Sequence, residues 1–136
     1  MKLVDANILF PFIVDGPLSS AARTLREMDR DWRTESFAMI ELSNVLATYE
    51  RSKKMTHDEA REFLSHAEEL LASHLVTVPH EVALDLASRF RVTAYDARYL
   101  AAAELLGVPL VTEDVRLRRA APELTQSLEN ALMEAR

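Results

Sequence analysis

Short apolar runs alternate along this chain with segments of helical periodicity, and that alternation is what most limits the fold. Strands separated by helices of roughly ten or more residues imply right-handed crossovers and a parallel sheet covered on both sides, which is an α/β architecture. The opening run "KLVDANILF" reads as a buried strand interrupted by Asp5 and Asn7. After Gly16-Pro17, the residues Leu18, Ala21, Ala22, Leu25 and Met28 recur at helical spacing and predict a helix over about 18–29. Residues 32–34 suit a short strand, and Phe37, Leu42, Val45, Leu46 and Tyr49 mark a second helix. Thr56 to Glu59 has the form of a capping box, followed by Ala60, Phe63, Leu64, Ala67, Leu70 and Leu71 on one helical stripe. Residues 75–78 read as a strand stopped by Pro79, ahead of a helix carrying Val82, Ala83, Leu86, Ala87 and Phe90. Thr93 leads into a further helix, Gly107 sits where a glycine ends one, and 108–112 form the next strand. From Pro122 onward the pattern supports a strand over 125–128 or a helix with Leu124, Leu128 and Leu132 at i, i+4 spacing.

In parallel sheets of this kind ligands bind beyond the carboxyl ends of the strands. Asp5 falls at the end of the first strand and Asp114 just past the end of a later one. Asp96 opens a helix, and Glu41 projects from a helix with Phe37 and Val45 at i−4 and i+4. Each acid has a local explanation. Asp5 could close an Asx turn, Asp96 could sit at N3 of a helix capped by Thr93, Glu41 could face solvent, and Asp114 could cap a short helix near Val115. As a set they say more, because gathered carboxylates either raise one another's pKa or recruit a divalent cation. The chain has no cysteine, so any metal would be held by oxygen or imidazole. Hard Mg²⁺ or Mn²⁺ fits carboxylates best and suits a phosphodiester substrate, so the implied chemistry is phosphoryl hydrolysis.

Composition narrows the remaining choices. The 136 residues fit one domain, and 49% hydrophobic with 28% charged residues is ordinary for a chain that folds. No apolar run approaches the ~20 residues that cross a bilayer, and the N-terminus lacks a signal-peptide pattern, so no membrane association and a cytoplasmic location are expected. His57, His66, His74 and His80 show no metalloprotease spacing, and no glycine-rich phosphate loop or serine-nucleophile motif is present.

The segments "LVDANILF", "IELSNVLATY" and "TAYDARYLAAAELLGVPLVTEDVRL", in that order, resemble a PIN domain of the VapC toxin type. Tyr95-Asp96-Ala97 and Thr112-Glu113-Asp114 match the family's Y-D-A and T-x-D elements, and the resemblance spans nearly the whole chain, one PIN domain over 1–136. It implies a metal-dependent endoribonuclease, usually the toxin of a type II toxin–antitoxin pair, with its acids carried by Asp5, Glu41, Asp96 and Asp114. On chemical grounds Asp5 and Asp96 are the expected main ligands of Mg²⁺ or Mn²⁺, with Asp114 completing the site and Glu41 orienting a water. Asn7 and Thr112 could support Asp5 and Asp114 by hydrogen bonds or serve the local turns. Several basic side chains, Arg98 among them, are candidates for RNA contact, and Arg116, Arg118 and Arg119 are favoured because they follow Asp114.

The apolar residues Leu18, Leu25 and Met28 and those of the 57–73 helix predict a homodimer and a groove for a helix of a VapB-like antitoxin. Two other readings stay open. A catalytically silent PIN-like binding module would keep the fold and lose cleavage. An aspartate-phosphorylated receiver would need a lysine after a late strand, and none occurs after Lys54.

Overall fold

The computed structural model describes residues 1–134. It contains β1 (Lys2–Val4), α1 (Ala6–Ile13), α2 (Ser19–Met28), β2 (Trp32–Glu35), α3 (Phe37–Arg51), α4 (His57–Leu71), β3 (Leu75–Val76), α5 (His80–Phe90), α6 (Ala94–Leu106), β4 (Leu110–Val111), α7 (Val115–Ala120), β5 (Thr125–Gln126) and α8 (Leu128–Glu134). The five strands form one sheet in the order β3-β2-β1-β4-β5, and every pairing is parallel. The expected α/β class and parallel sheet are what the chain adopts.

β1 is the central strand, pairing Leu3 with Arg33 on one side and with Leu110 on the other. Leu3, Val4, Leu110 and Val111 are wholly buried, because helices cover both faces of a parallel sheet. From β1 the chain moves to β2 on one side and later returns to β4 on the other. The strand order therefore reverses at β1, and a sheet of this kind has its crevice beyond the carboxyl ends of the strands at such a reversal, here β1 and β4.

The opening run is not a single strand. β1 stops at Val4, Asp5 is the N-cap, and residues Ala6–Ile13 are helical. Ala6, Ile8, Leu9, Pro11 and Ile13 are all buried, so this short helix is apolar on nearly every side and shows no polar face that would reveal its period. Pro11 inside it has no N–H to give, and its carbonyl accepts the Ser19 hydroxyl at 2.6 Å, tying α1 to the start of α2.

Other elements follow their sequence signals. Thr56 and Glu59 make the reciprocal capping box at 3.1 and 2.9 Å. Gly107 ends α6 at φ 69°, a left-handed conformation that glycine adopts without a Cβ penalty. β3 and β4 are shorter than expected, two residues each. The tail after Pro122 realises both readings in succession, β5 on the sheet edge and then α8.

α6 is the helix most embedded in the core. Ala97, Tyr99, Leu100, Ala101, Ala102 and Ala103 are all buried, and the run of small side chains lets the backbone approach its neighbours closely. The position of Asp96 is thus set by a rigid element rather than by a loop.

Candidate active site

Asp5 leaves the carboxyl end of the central strand directly into the crevice and is 4% exposed. Its Oδ1 accepts the backbone N–H of Asn7 at 3.1 Å, so the Asx-type cap anticipated as its local explanation is present. The capping does not cancel the cost of burial. Burial pushes the Asp5 carboxyl up to about 7, the Glu41 charge adds to this, and the Thr112 hydroxyl with the Ile8 and Asn7 amides acts the other way.

Thr112 is wholly buried and serves two acids at once. Its hydroxyl favours the charged form of Asp5, and its Oγ1 accepts the Asp114 N–H at 3.1 Å. Asp114 in turn caps α7, accepting the Leu117 N–H at 3.1 Å. Asn7 is exposed, and its backbone rather than its side chain meets Asp5.

Asp96 is half-buried at the third position of α6, with its backbone N–H bonded to the Thr93 cap at 3.1 Å. Burial raises its pKa and the Asp114 charge raises it further, against the Thr93 hydrogen bond. Glu41 is half-buried on α3 and accepts a hydrogen bond from the Tyr99 hydroxyl. Its pKa is also raised, by burial first and then by the charges of Asp96 and Asp114, while the Tyr99 bond lowers it. Four carboxylates from separate segments therefore act on one another across a single crevice.

Among the described residues, no lysine or arginine is a cause of the shifts at Asp5, Glu41 or Asp96. The donor set is one that a hard cation would neutralise. No three of these side chains stand close enough, among the described residues, to ligate a single ion directly.

Of the arginines after Asp114, Arg116 and Arg119 are exposed. Arg118 is engaged within the chain, donating to the Thr112 carbonyl at 2.8 Å and lying 3.6 Å from Glu113, so it buttresses the β4 end. Arg98 is likewise occupied. Its Nε meets both oxygens of Glu35 at 3.1 and 3.0 Å and its Nη2 reaches the Val78 carbonyl at 2.6 Å.

Two features were not read from the sequence. Glu35, wholly buried at the end of β2, pairs with Arg98 and accepts the Phe37 N–H at 3.2 Å, satisfying the start of α3 where Ser36 provides no side-chain cap. The signal was its place, since an acid at the carboxyl end of a strand is also what identified Asp5. Tyr99 is the second, and its signal was a tyrosine among small residues, three positions after Asp96 on one helix face.

The surplus apolar surface expected on the early helices is smaller than their composition suggests. Leu25 is wholly buried within the chain, leaving Leu18 and Met28 exposed. A cavity of about 620 Å³ lies among α3, α5 and α6, lined by Phe37, Ile40, Leu84 and Tyr95 among others. Ile40, Leu84 and Tyr95 are each more than 60% exposed, at 63%, 65% and 65%.

The family described as PIN domain matches residues 2–122 of this chain. Ribonuclease VapC3 of Pyrobaculum aerophilum is 33% identical over 128 residues, which take in 91% of this chain and 98% of that protein. The crystal structure of PAE2754 from Pyrobaculum aerophilum superposes with a TM-score of 0.75 at 24% identity, covering 98% of this chain and 88% of the other. At that identity the superposition speaks to the fold alone. No helix among the described residues is long and apolar enough to cross a membrane.

Proposed function

The chain belongs to the PIN domain family, and on that premise we propose that it is a divalent-metal-dependent endoribonuclease, the toxin of a type II toxin–antitoxin pair. The observation that carries the reading is the convergence of Asp5, Glu41, Asp96 and Asp114, with Asp5 pushed up to about 7 and no cation compensating the shifted acids among the described residues. The name of the 33% identical relative, a ribonuclease, supports the substrate class.

Asp5, Asp96 and Asp114 would hold Mg²⁺ or Mn²⁺, directly or through water, consistent with the habit of Mg²⁺ to keep several waters and take few carboxylates. When bound, the ion supplies Lewis-acid activation of water and neutralises charge developing on the phosphate. Glu41 accepts a hydrogen bond from the attacking water and aligns it. Thr112 keeps Asp5 and Asp114 in register. Arg116 and Arg119 contact flanking phosphates, and water attack with departure of the 3′-oxygen leaves a 5′-phosphate and a 3′-hydroxyl.

The reading is tested by incubating labelled RNA with the chain in Mg²⁺ and in chelator, where cleavage in the first and none in the second is expected. A melting experiment adds a readout independent of substrate. Mg²⁺ at about 100 times its Kd should stabilise the wild type by roughly 2.7 kcal/mol through mass action, and the increment should shrink in Asp96→Asn. Equal increments in the two proteins would remove Asp96 from the metal site.

A homodimer and a VapB-like antitoxin partner belong to the same proposal. The exposed Ile40, Leu84 and Tyr95 are the apolar surface offered to the second copy. Light scattering at micromolar concentration is expected to give a dimer mass for wild type and a monomer mass for the double variant Ile40→Glu, Leu84→Glu. A wild-type monomer would contradict the assignment.

A further inference from the structure

We propose that Tyr99 is a positioning residue that fixes the Glu41 carboxylate within the acidic crevice. Its consequence for cleavage rests on the nuclease reading above, while the contact itself rests on geometry. Tyr99 stands three residues after Asp96 on α6, so both side chains share one face of that helix. It is 2% exposed, and its hydroxyl donates to Glu41 Oε1.

α3 grips the tyrosine twice. Phe37 lies edge-on to the ring at 6.5 Å between centroids, and Glu41, one helical turn further along α3, takes the hydroxyl. The start of the helix that Asp5 caps also acts on this phenol, the Ala6 amide lowering its pKa and the Asp5 charge raising it. One side chain therefore joins the two helices that carry Glu41 and Asp96.

The residue type matters as much as the place. A lysine or arginine would bring its own charge and compete with a metal cation for the carboxylate. A phenol donates a hydrogen bond and adds no charge. Burial and then the Glu41 contact hold the Tyr99 pKa well above its ordinary value, so the hydroxyl keeps its proton and remains a donor. Without it Glu41 would be free to swing among the rotamers open to a half-exposed glutamate.

The test combines Tyr99→Phe, Glu41→Gln and the double variant. Tyr99→Phe should lower kcat on RNA by about 10- to 100-fold with KM unchanged, the range seen when a partner orienting a metal-site group is removed. Glu41→Gln should also lower kcat, and the double variant should be no slower than Glu41→Gln, because the tyrosine acts only through the glutamate. Wild-type kcat in Tyr99→Phe, or fully additive losses, would overturn the proposal. A measurement free of activity separates it from the nuclease reading. The Tyr99 hydroxyl proton should appear in the proton NMR spectrum of the metal-free chain as a slowly exchanging downfield signal, and it should move or vanish in Glu41→Ala. Its absence, or its indifference to Glu41→Ala, would overturn the positioning role. If the signal behaves as expected while wild type cleaves no RNA with any divalent metal, the nuclease reading fails and the contact stands.

Discussion

Replacing Asp5 by Asn should make the metal-free chain more stable at neutral and alkaline pH while depriving it of RNA cleavage. Asp5 in the folded chain has its pKa raised from the ordinary 3.8 to about 7. Between those values the unfolded chain has released a proton that the folded chain still holds, so stability falls as pH rises through the window and levels off above it. The gap is about three pH units, worth on the order of 2–4 kcal/mol. Asn keeps a side-chain oxygen for the Asn7 amide and remains a good N-cap, so the substitution removes the buried ionisation without removing the cap. The expected gain is therefore largest near pH 8 and absent near pH 4. Denaturant melts of both proteins in chelator across that range check it, and a pH-independent loss of stability would mean that Asp5 serves the helix cap alone. Cleavage in Mg²⁺ should meanwhile fall by roughly 10²-fold or more. Such opposite changes in activity and stability mark a site whose charges are kept for chemistry.

Arg98→Met should have the opposite effect and destabilise the fold by about 3–5 kcal/mol, the range for stranding one partner of a buried ion pair. The Arg98 and Glu35 side chains are only 14% and 1% exposed. Removing the guanidinium leaves the Glu35 carboxylate with the Phe37 amide as its remaining hydrogen-bond donor and frees the Val78 carbonyl. The loss reaches the acidic crevice as well, because Glu35 fixes the start of α3 and α3 carries Glu41. Replacing both residues with Met should recover most of the stability, since the cost arises from the orphaned charge rather than from the missing pair. Urea melts of the two variants decide it. A single-variant loss below about 1 kcal/mol would show that water reaches Glu35 when Arg98 is gone.

Local rules exposed much of this arrangement in the sequence. Asp5 and Asp114 were visible because a strand end in a parallel sheet has a defined rim, and Thr56, Glu59 and Gly107 because caps are read from a few adjacent residues. α1 escaped because a helix buried on nearly all sides has no polar stripe to betray its period. Tyr99, and the pairing of Arg98 that the sequence shows only as a candidate RNA contact, escaped for a different reason. Their partners lie 58 and 63 positions away in the chain, so only the folded topology assigns a role to either side chain. On the early helices Leu18 and Met28 are exposed while the chain itself covers Leu25, a distinction that composition does not make.

The most direct test of the account is cleavage of a 5′-labelled RNA by wild type, Asp5→Asn and Asp96→Asn, each in Mn²⁺ and in chelator, with the product termini identified. Fragments ending in 3′-hydroxyl and beginning with 5′-phosphate are expected for wild type in Mn²⁺ only, with yields lower by roughly 10²-fold or more from either variant although both melt cooperatively. Chelator-sensitive cleavage that persists undiminished in both folded variants would contradict it.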